Sequence, residues 1–337
     1  MARYIVERLP ASPQLSPLGA FFSYNNTGFL LLGRLIEIVT GQTYRAAVQD
    51  LVLDPLGQTG STFTAEEVER QPHAAGHAQG SQGTAVVTPL NFPRNIDPAG
   101  GLWSTTRDLL RYARFHLGDG AAPDGKRLLA QYTLRLMRSP QVAVPSAFAL
   151  EMALPWFIQE LPGLQLAMHG GDTFGQHTAF MFAPERGFAL VLLTNAQPAG
   201  GLAEWAVTNE AAQQYLGLGL DAARAGFVAS LSVPTGTPAL AAPSDLMQYA
   251  GRYSEPNATY MLRVENGGLL LTIEQTMGPE QIVPSIVPPP VRDSPVRFFA
   301  ADLALLGQSV LPFVRRPNGD IGWIDVGLRL VPRIGAA

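Results

Sequence analysis

Residues 164–195 read LQLAMHGGDTFGQHTAFMFAPERGFALVLLTN. Three β-rich runs stand in this stretch: Leu164–His169, His177–Phe182 and Phe188–Thr194. Short runs of β-branched and aromatic residues bounded by turn formers read as strands. Pro184-Glu185-Arg186-Gly187 joins the last two as a hairpin. Another β-rich run, Phe148–Gln159, precedes them, and a helix from about Leu202 to Leu216 follows. Strands in hairpin succession flanked by helices read as an α+β fold.

Toward the N-terminus the period becomes helical. Asn26 or Thr27 caps a helix whose apolar face is Phe29, Leu32, Ile36 and Val39. Gly41 suits the left-handed position that ends it. Thr43 opens a shorter helix to Leu51, stopped by Pro55 and Gly57. Residues 58–103 show no sustained period and read as a long, structured loop region. Thr105 and Asp108 form a capping box for a helix through Leu109, Leu110, Ala113 and Leu117. Toward the C-terminus, 218–245 holds Val233–Pro238 and Ala239–Pro243, a linker by composition. Beyond it the period is that of strands, with hairpins on Asn266-Gly267, a type I′ turn, and on Pro317–Asp320. The expected organisation is therefore a domain over 1–217, a Pro/Ala-rich linker over 218–245 and an all-β domain over 246–334.

Composition narrows the function. Charged residues are 15% of the 337, against about 25% in an average globular protein. With 47% hydrophobic residues, disorder over most of the length is excluded. A net charge of −4 offers no basic footprint for nucleic acid. No apolar run approaches the ~18 residues of a membrane span. Glu7 and Arg8 stand where a signal peptide needs its apolar core, so any such signal is expected upstream of residue 1. The absence of cysteine excludes disulfides and thiolate zinc sites and leaves the compartment open.

Two strings imitate known sites. Gly120 to Lys126 fits G-x-x-x-x-G-K, but a helix precedes it, Arg127 fills the Ser/Thr place and Pro-Asp-Gly is a turn, so it reads as a surface turn. His73 and His77 have the spacing of two metal ligands on a helix, yet they sit among glycines without a helical period or an acidic neighbour. Neither G-x-S-x-G nor H-E-x-x-H occurs.

Three segments stand out together: Phe22 to Gly33 with Tyr24-Asn25-Asn26, Ala99 to Asp108 (AGGLWSTTRD), and His169-Gly170-Gly171-Asp172-Thr173-Phe174-Gly175. Singly, Tyr24 is explained as a hydrophobic staple, Asn26 as an N-cap and His169-Gly-Gly as a bend at a strand end. In this order they resemble the β-lactamase and penicillin-binding-protein superfamily of serine hydrolases, in the branch of class C β-lactamases, esterases and D-aminopeptidases. That family shows Ser-x-x-Lys, then Tyr-x-Asn, then Lys/His-x-Gly on an edge strand. The similarity continues through the DPLG of 54–57 and covers most of residues 20–217. Tyr249-Ala250-Gly251-Arg252-Tyr253 looks like the start of the lipocalin-like domain appended to such hydrolases.

The resemblance implies a helix/antiparallel-sheet/helix domain, incomplete at its N-terminus, followed by a small lipocalin-like barrel or sandwich. It implies acyl transfer to a serine and hydrolysis of an ester, amide or β-lactam. Tyr24 would be the general base or proton relay, Asn26 would hold the motif lysine and the substrate's acyl side, and His169 would support the hydroxyl network. Gly170, Gly171, Asp172 and Thr173 would line the substrate, with the Asp172 N–H as half of an oxyanion hole. A serine nucleophile is weak until a base stands beside it. No cofactor or metal is implied, and the partner is a small-molecule acyl substrate, with oligomeric state unread. The first motif is absent: the single lysine, Lys126, has Pro123 three residues before it. In the family that motif lies upstream of Tyr-x-Asn, so the chain is expected to be inactive by itself. The alternatives are a non-catalytic binding or scaffold relative that kept the pocket, and an unrelated α+β binding protein.

Overall fold

A computed structural model describes residues 2–7, 9–12, 14–80, 83–88, 93–144, 150–173, 175–218, 244–275, 291–300, 303–306 and 309–336. The expected linker lies almost wholly outside these. The chain divides into two compact units: Met1–Pro13, Asn25–Gln141 and Glu151–Leu218 form one, and Gln14–Tyr24, Val142–Leu150 and Gly219–Ala337 the other. Gln14–Tyr24 and Val142–Leu150, counted in the sequence with the first domain, thus group with the C-terminal residues.

In the first unit α1 spans Thr27–Thr40, α2 Thr106–Leu117 and α3 Ala199–Leu216. Strands β1 (Phe157–Leu161), β2 (Leu164–Asp172), β3 (His177–Ala183) and β4 (Phe188–Thr194) follow one another as an antiparallel meander. Alternate residues of a strand point to opposite faces. On one face Ala167, Phe180, Phe182, Ala189 and Val191 pack with Ala113, Leu109 and Tyr112 of α2. On the other, Phe188 meets Tyr215 of α3, and Thr194 and His177 abut Gly200. The unit is layered helix, sheet, helix.

Several expectations need correction. The run Phe148–Gln159 is not one strand: its described part gives Leu150–Met152 and Phe157–Leu161, neighbouring strands of the sheet joined by the 153–156 turn, which the Ala153 N–H closes on the Trp156 carbonyl at 2.8 Å. Residues 58–103 contain a short strand pair, His77–Gly80 with Gly83–Val86. The buried line of α1 is Leu30 and Gly33, while Leu32 and Val39 of the expected face are exposed. Apolar residues fall on every side of this helix between Phe29 and Val39, so periodicity could not choose the face. The cap is also shifted: Asn25 Oδ1 accepts the Gly28 N–H at 2.7 Å, and the Asn26 side chain makes no cap bond. Thr105 caps α2 as expected, accepting from Asp108 N–H at 3.2 Å. The Asp108 carboxylate instead accepts from Gly60 N–H, Ser61 Oγ and Arg111.

In the second unit eight strands between Gly251 and Gly335 close into an antiparallel barrel. Asn266 and Gly267 have φ of 50° and 74°, the two positive values that a type I′ hairpin requires. Tyr253, Tyr260, Leu262, Leu271 and Ile324 fill the interior.

In each unit burial shifts a group that titrates between pH 4 and 7. Burial among Tyr112, Phe115, Trp156 and Phe182 pushes His116 down to about 4, and Arg138 adds to this. Burial pushes Asp325 of the barrel up to about 7. Protonating His116 opposes folding as pH falls from about 6.5 toward 4, whereas ionising Asp325 opposes it as pH rises from about 4 toward 7. At about 1.4 kcal/mol per pKa unit each slope amounts to a few kcal/mol, and the two are opposed. His116→Phe should therefore gain stability relative to the parent at pH 4.5, and Asp325→Asn should gain it at pH 8, in urea melts across pH. Parallel pH profiles for parent and variants would contradict this.

Candidate active site

His169 lies on β2 opposite Phe180. Pairing of β2 with β1 runs from Leu161↔Leu164 to Phe157↔Met168 and goes no further. His169–Asp172 therefore continue past their neighbour on that side while still paired to β3 on the other. The strand is interior along most of its length and edge-like only over these four residues. It also extends three residues past the expected end at His169, because Gly170 and Gly171 stay in register with Ala179 and Thr178.

The His169 Nδ1–H donates to the Gly170 carbonyl at 2.6 Å, because a carbonyl can only accept. Nε2 then carries a lone pair. Burial lowers the His169 pKa, against a smaller opposing effect of that carbonyl. His169 is thus a neutral imidazole near pH 7, suited to accept or relay a proton and unsuited to act as a cation.

Asp172 and Thr173 behave differently from their expected neighbours. The Asp172 side chain, on the sheet face opposite His169, is hydrogen-bonded to His177 Nδ1 across the strand end. His177 Nε2 and Thr194 Oγ1 are buried without partners among the described residues. The Thr173 N–H is spent on the Gln176 carbonyl at 3.0 Å, closing the turn. Gly170 and Gly171 carry no side chain over this strand end, and a Cβ on either would meet only Thr178, at 3.3 Å or more.

Gly175, at φ +71°, is where the 73–80 segment crosses this turn. A Cβ there would stand 2.6 Å from the backbone N and O of His77. His77 itself binds the Asn195 carbonyl through both its N–H and Nδ1, and Asn195 and Gln176 hold the Ala75 and Ala74 carbonyls. His73 turns back to the Gln71 carbonyl. Gly120–Lys126 is a tight turn, with Ala122 N–H bonded to the Lys126 carbonyl at 2.7 Å.

Asn26 stands at the N-terminal end of α1, its amide not used in capping. Tyr24 belongs to the second unit. Its N–H donates to the Leu328 carbonyl at 2.7 Å, and the Arg329 guanidinium carbon lies 5.1 Å from its ring centroid. Next to it, Ser23 Oγ accepts the Leu330 N–H at 3.2 Å. Sequence reasoning missed the Asp172–His177 pair, which the turn glycine Gly175 could have indicated, and Arg329, which no local signal marks.

The beta-lactamase family pattern matches residues 2–213. The chain belongs to the beta-lactamase family. Penicillin-binding protein 4 of Amycolatopsis lactamdurans is 36% identical over 195 residues, covering 56% of this chain and 49% of that protein. Protein flp of Staphylococcus aureus is 28% identical over 178 residues, covering 52% and 34%. The chain thus spans half or less of the length of these curated relatives. Among solved structures, SurE superposes with a TM-score of 0.74 at 25% identity, over 98% of this chain and 72% of SurE. The octameric penicillin-binding protein homologue from Pyrococcus abyssi shares the fold, with a TM-score of 0.55 at 20% identity over 94% and 66%. In this beta-lactamase-family chain His169-Gly170-Gly171 sits on a hairpin end whose turn is fastened by Gly175. Gly175→Ala should cost about 2 kcal/mol or more, combining αL strain with the clash on His77. Gly187→Ala, at φ +57° with open space around it, should cost only the strain. Equal losses in urea melts would contradict the stitching.

Proposed function

We propose that residues 1–337 are the part of a β-lactamase-type serine hydrolase that carries its base and substrate strand, and that they act with a nucleophile segment lying outside them. The observation that carries this is α1. Its ends are well formed, with Gly41 closing it in the left-handed conformation, yet Leu31, Leu32, Leu35, Ile38 and Val39 are exposed, Val39 at 77%. A contiguous apolar face of this kind marks a surface meant to be covered. A Ser-x-x-Lys is absent from the sequence, and the longer relatives leave room for one.

In the proposed reaction the serine oxygen attacks an acyl carbonyl while Tyr24 takes the hydroxyl proton. The tetrahedral oxyanion is held by the Asp172 N–H, and its collapse expels the leaving group, which takes up the proton. Water then attacks the acyl-serine by the same route in reverse, returning the serine. Asn26 orients the motif lysine and the acyl side, and neutral His169 relays hydrogen bonds from the strand end. Gly170, Gly171 and Thr173 border the substrate, a β-lactam, an ester or a D-amino-acid peptide. The domain boundaries that accompany this reading are 1–217, 218–245 and 246–334, the last a lipocalin-like barrel.

A fluorophosphonate probe or penicillin separates this from a non-catalytic relative. Residues 1–337 should remain unlabelled, since removing a serine nucleophile leaves only the residual ~10³–10⁴-fold catalysis of binding groups. A protein extended upstream through an in-frame Ser-x-x-Lys should be labelled on that serine. Labelling of a serine within 1–337, or a reading frame without that motif, would overturn the proposal.

A further inference from the structure

A phenol serves as a base only where a cation stabilises its phenolate. In this chain the third-motif residue is the neutral His169, and the single lysine, Lys126, is part of the 120–126 turn. Besides the motif lysine of the proposed nucleophile segment, the barrel supplies a cation. Its last hairpin pairs Val326 with Arg329 across Gly327 and Leu328, which have φ of 58° and 67°. A positive φ is strained for leucine. This strained residue offers the carbonyl that binds Tyr24 N–H, and the next residue lays its guanidinium over the Tyr24 ring. The preceding segment is fastened to the same hairpin and strand. Leu330 N–H donates to Ser23 Oγ, Trp323 Nε1–H donates to the Leu15 carbonyl at 3.0 Å, and Phe21 packs 5.1 Å from the Trp323 ring.

From this geometry we propose that Arg329 is a positioning residue for Tyr24: the barrel hairpin holds the tyrosine by its backbone and biases its hydroxyl toward the phenolate through the guanidinium above the ring. This rests on the reading of Tyr24 as the proton acceptor and goes beyond it by giving the C-terminal barrel a part in the chemistry. The other charged groups on this hairpin are Asp325, buried on the strand before the turn and interacting with Arg329, and Arg333, which donates to the Gln248 and Ala250 carbonyls; Arg316, in the turn before that strand, lays its guanidinium on Trp323.

The test is a pH titration of residues 1–337 carrying ¹³Cζ-tyrosine, with the Tyr24 signal assigned by its loss in Tyr24→Phe. Arg329→Gln should raise the Tyr24 pKa by about half a unit or more, as removal of a nearby opposite charge requires. Arg329→Lys, which keeps the charge, should shift it less than half as far. Arg316→Gln should leave it in place. An unchanged Tyr24 pKa in Arg329→Gln, or an equal shift in Arg316→Gln, overturns the inference. Should Arg329→Gln fail to fold, the Lys variant decides: a shift in it as large as the full expected loss also overturns the charge role. The titration reads the Arg329–Tyr24 coupling whether or not Tyr24 serves as base. A clear shift together with failed labelling of the extended enzyme would therefore sink the hydrolase reading and leave this coupling standing.

Discussion

The antiparallel ladder between Leu164–Asp172 and His177–Ala183 fixes which side chain of the first unit faces which layer. Side chains alternate along a strand, so a slip of one residue would exchange the two faces. In the register observed, Ala167, Phe180 and Phe182 meet the 106–117 helix, while Asp172 and His177 meet each other on the far face. The same register sets His169 opposite Phe180 and runs Gly170 and Gly171 beyond the end of the neighbouring strand. The strand end is held from outside by Gly175, over which the His77 backbone passes. His169-Gly170-Gly171 owe their placement to this hairpin.

The electrostatics of the motif residues follow from where each is buried. His169 spends one nitrogen on a carbonyl and is lowered by burial, so it brings no positive charge. Arg329, from a hairpin that the barrel builds, lays its guanidinium over the Tyr24 ring. Leu328 is held in the left-handed region by the two-residue hairpin turn it forms with Gly327, and its carbonyl accepts the Tyr24 N–H.

Much of this was legible in the sequence. The hairpins at Pro184–Gly187 and Asn266-Gly267, the helix ends at Gly41 and Thr105, and the family itself are carried by turn chemistry and by three motifs in order. What was not legible has particular causes. Eight of the residues between Phe29 and Val39 are apolar, so the 27–40 helix has no pattern that separates its buried line, Leu30 and Gly33, from its exposed face. Capping passed to Asn25 because adjacent asparagines offer the same chemistry one residue apart. The Asp172–His177 pair and the Arg329–Tyr24 stack are contacts between residues five and 305 positions apart, and only the folded ladder or barrel creates them.

The proposed hydrolysis depends on Tyr24 as the group that activates the nucleophile. The most direct measurement is the pre-steady-state acylation rate of Tyr24→Phe in the whole enzyme, followed with a chromogenic ester or β-lactam beside a thermal melt. Loss of a general base lowers such a step by about 10²–10⁴-fold. A fall of that size with an unchanged melt is the expected result. An acylation rate equal to that of the parent would contradict the account at its centre.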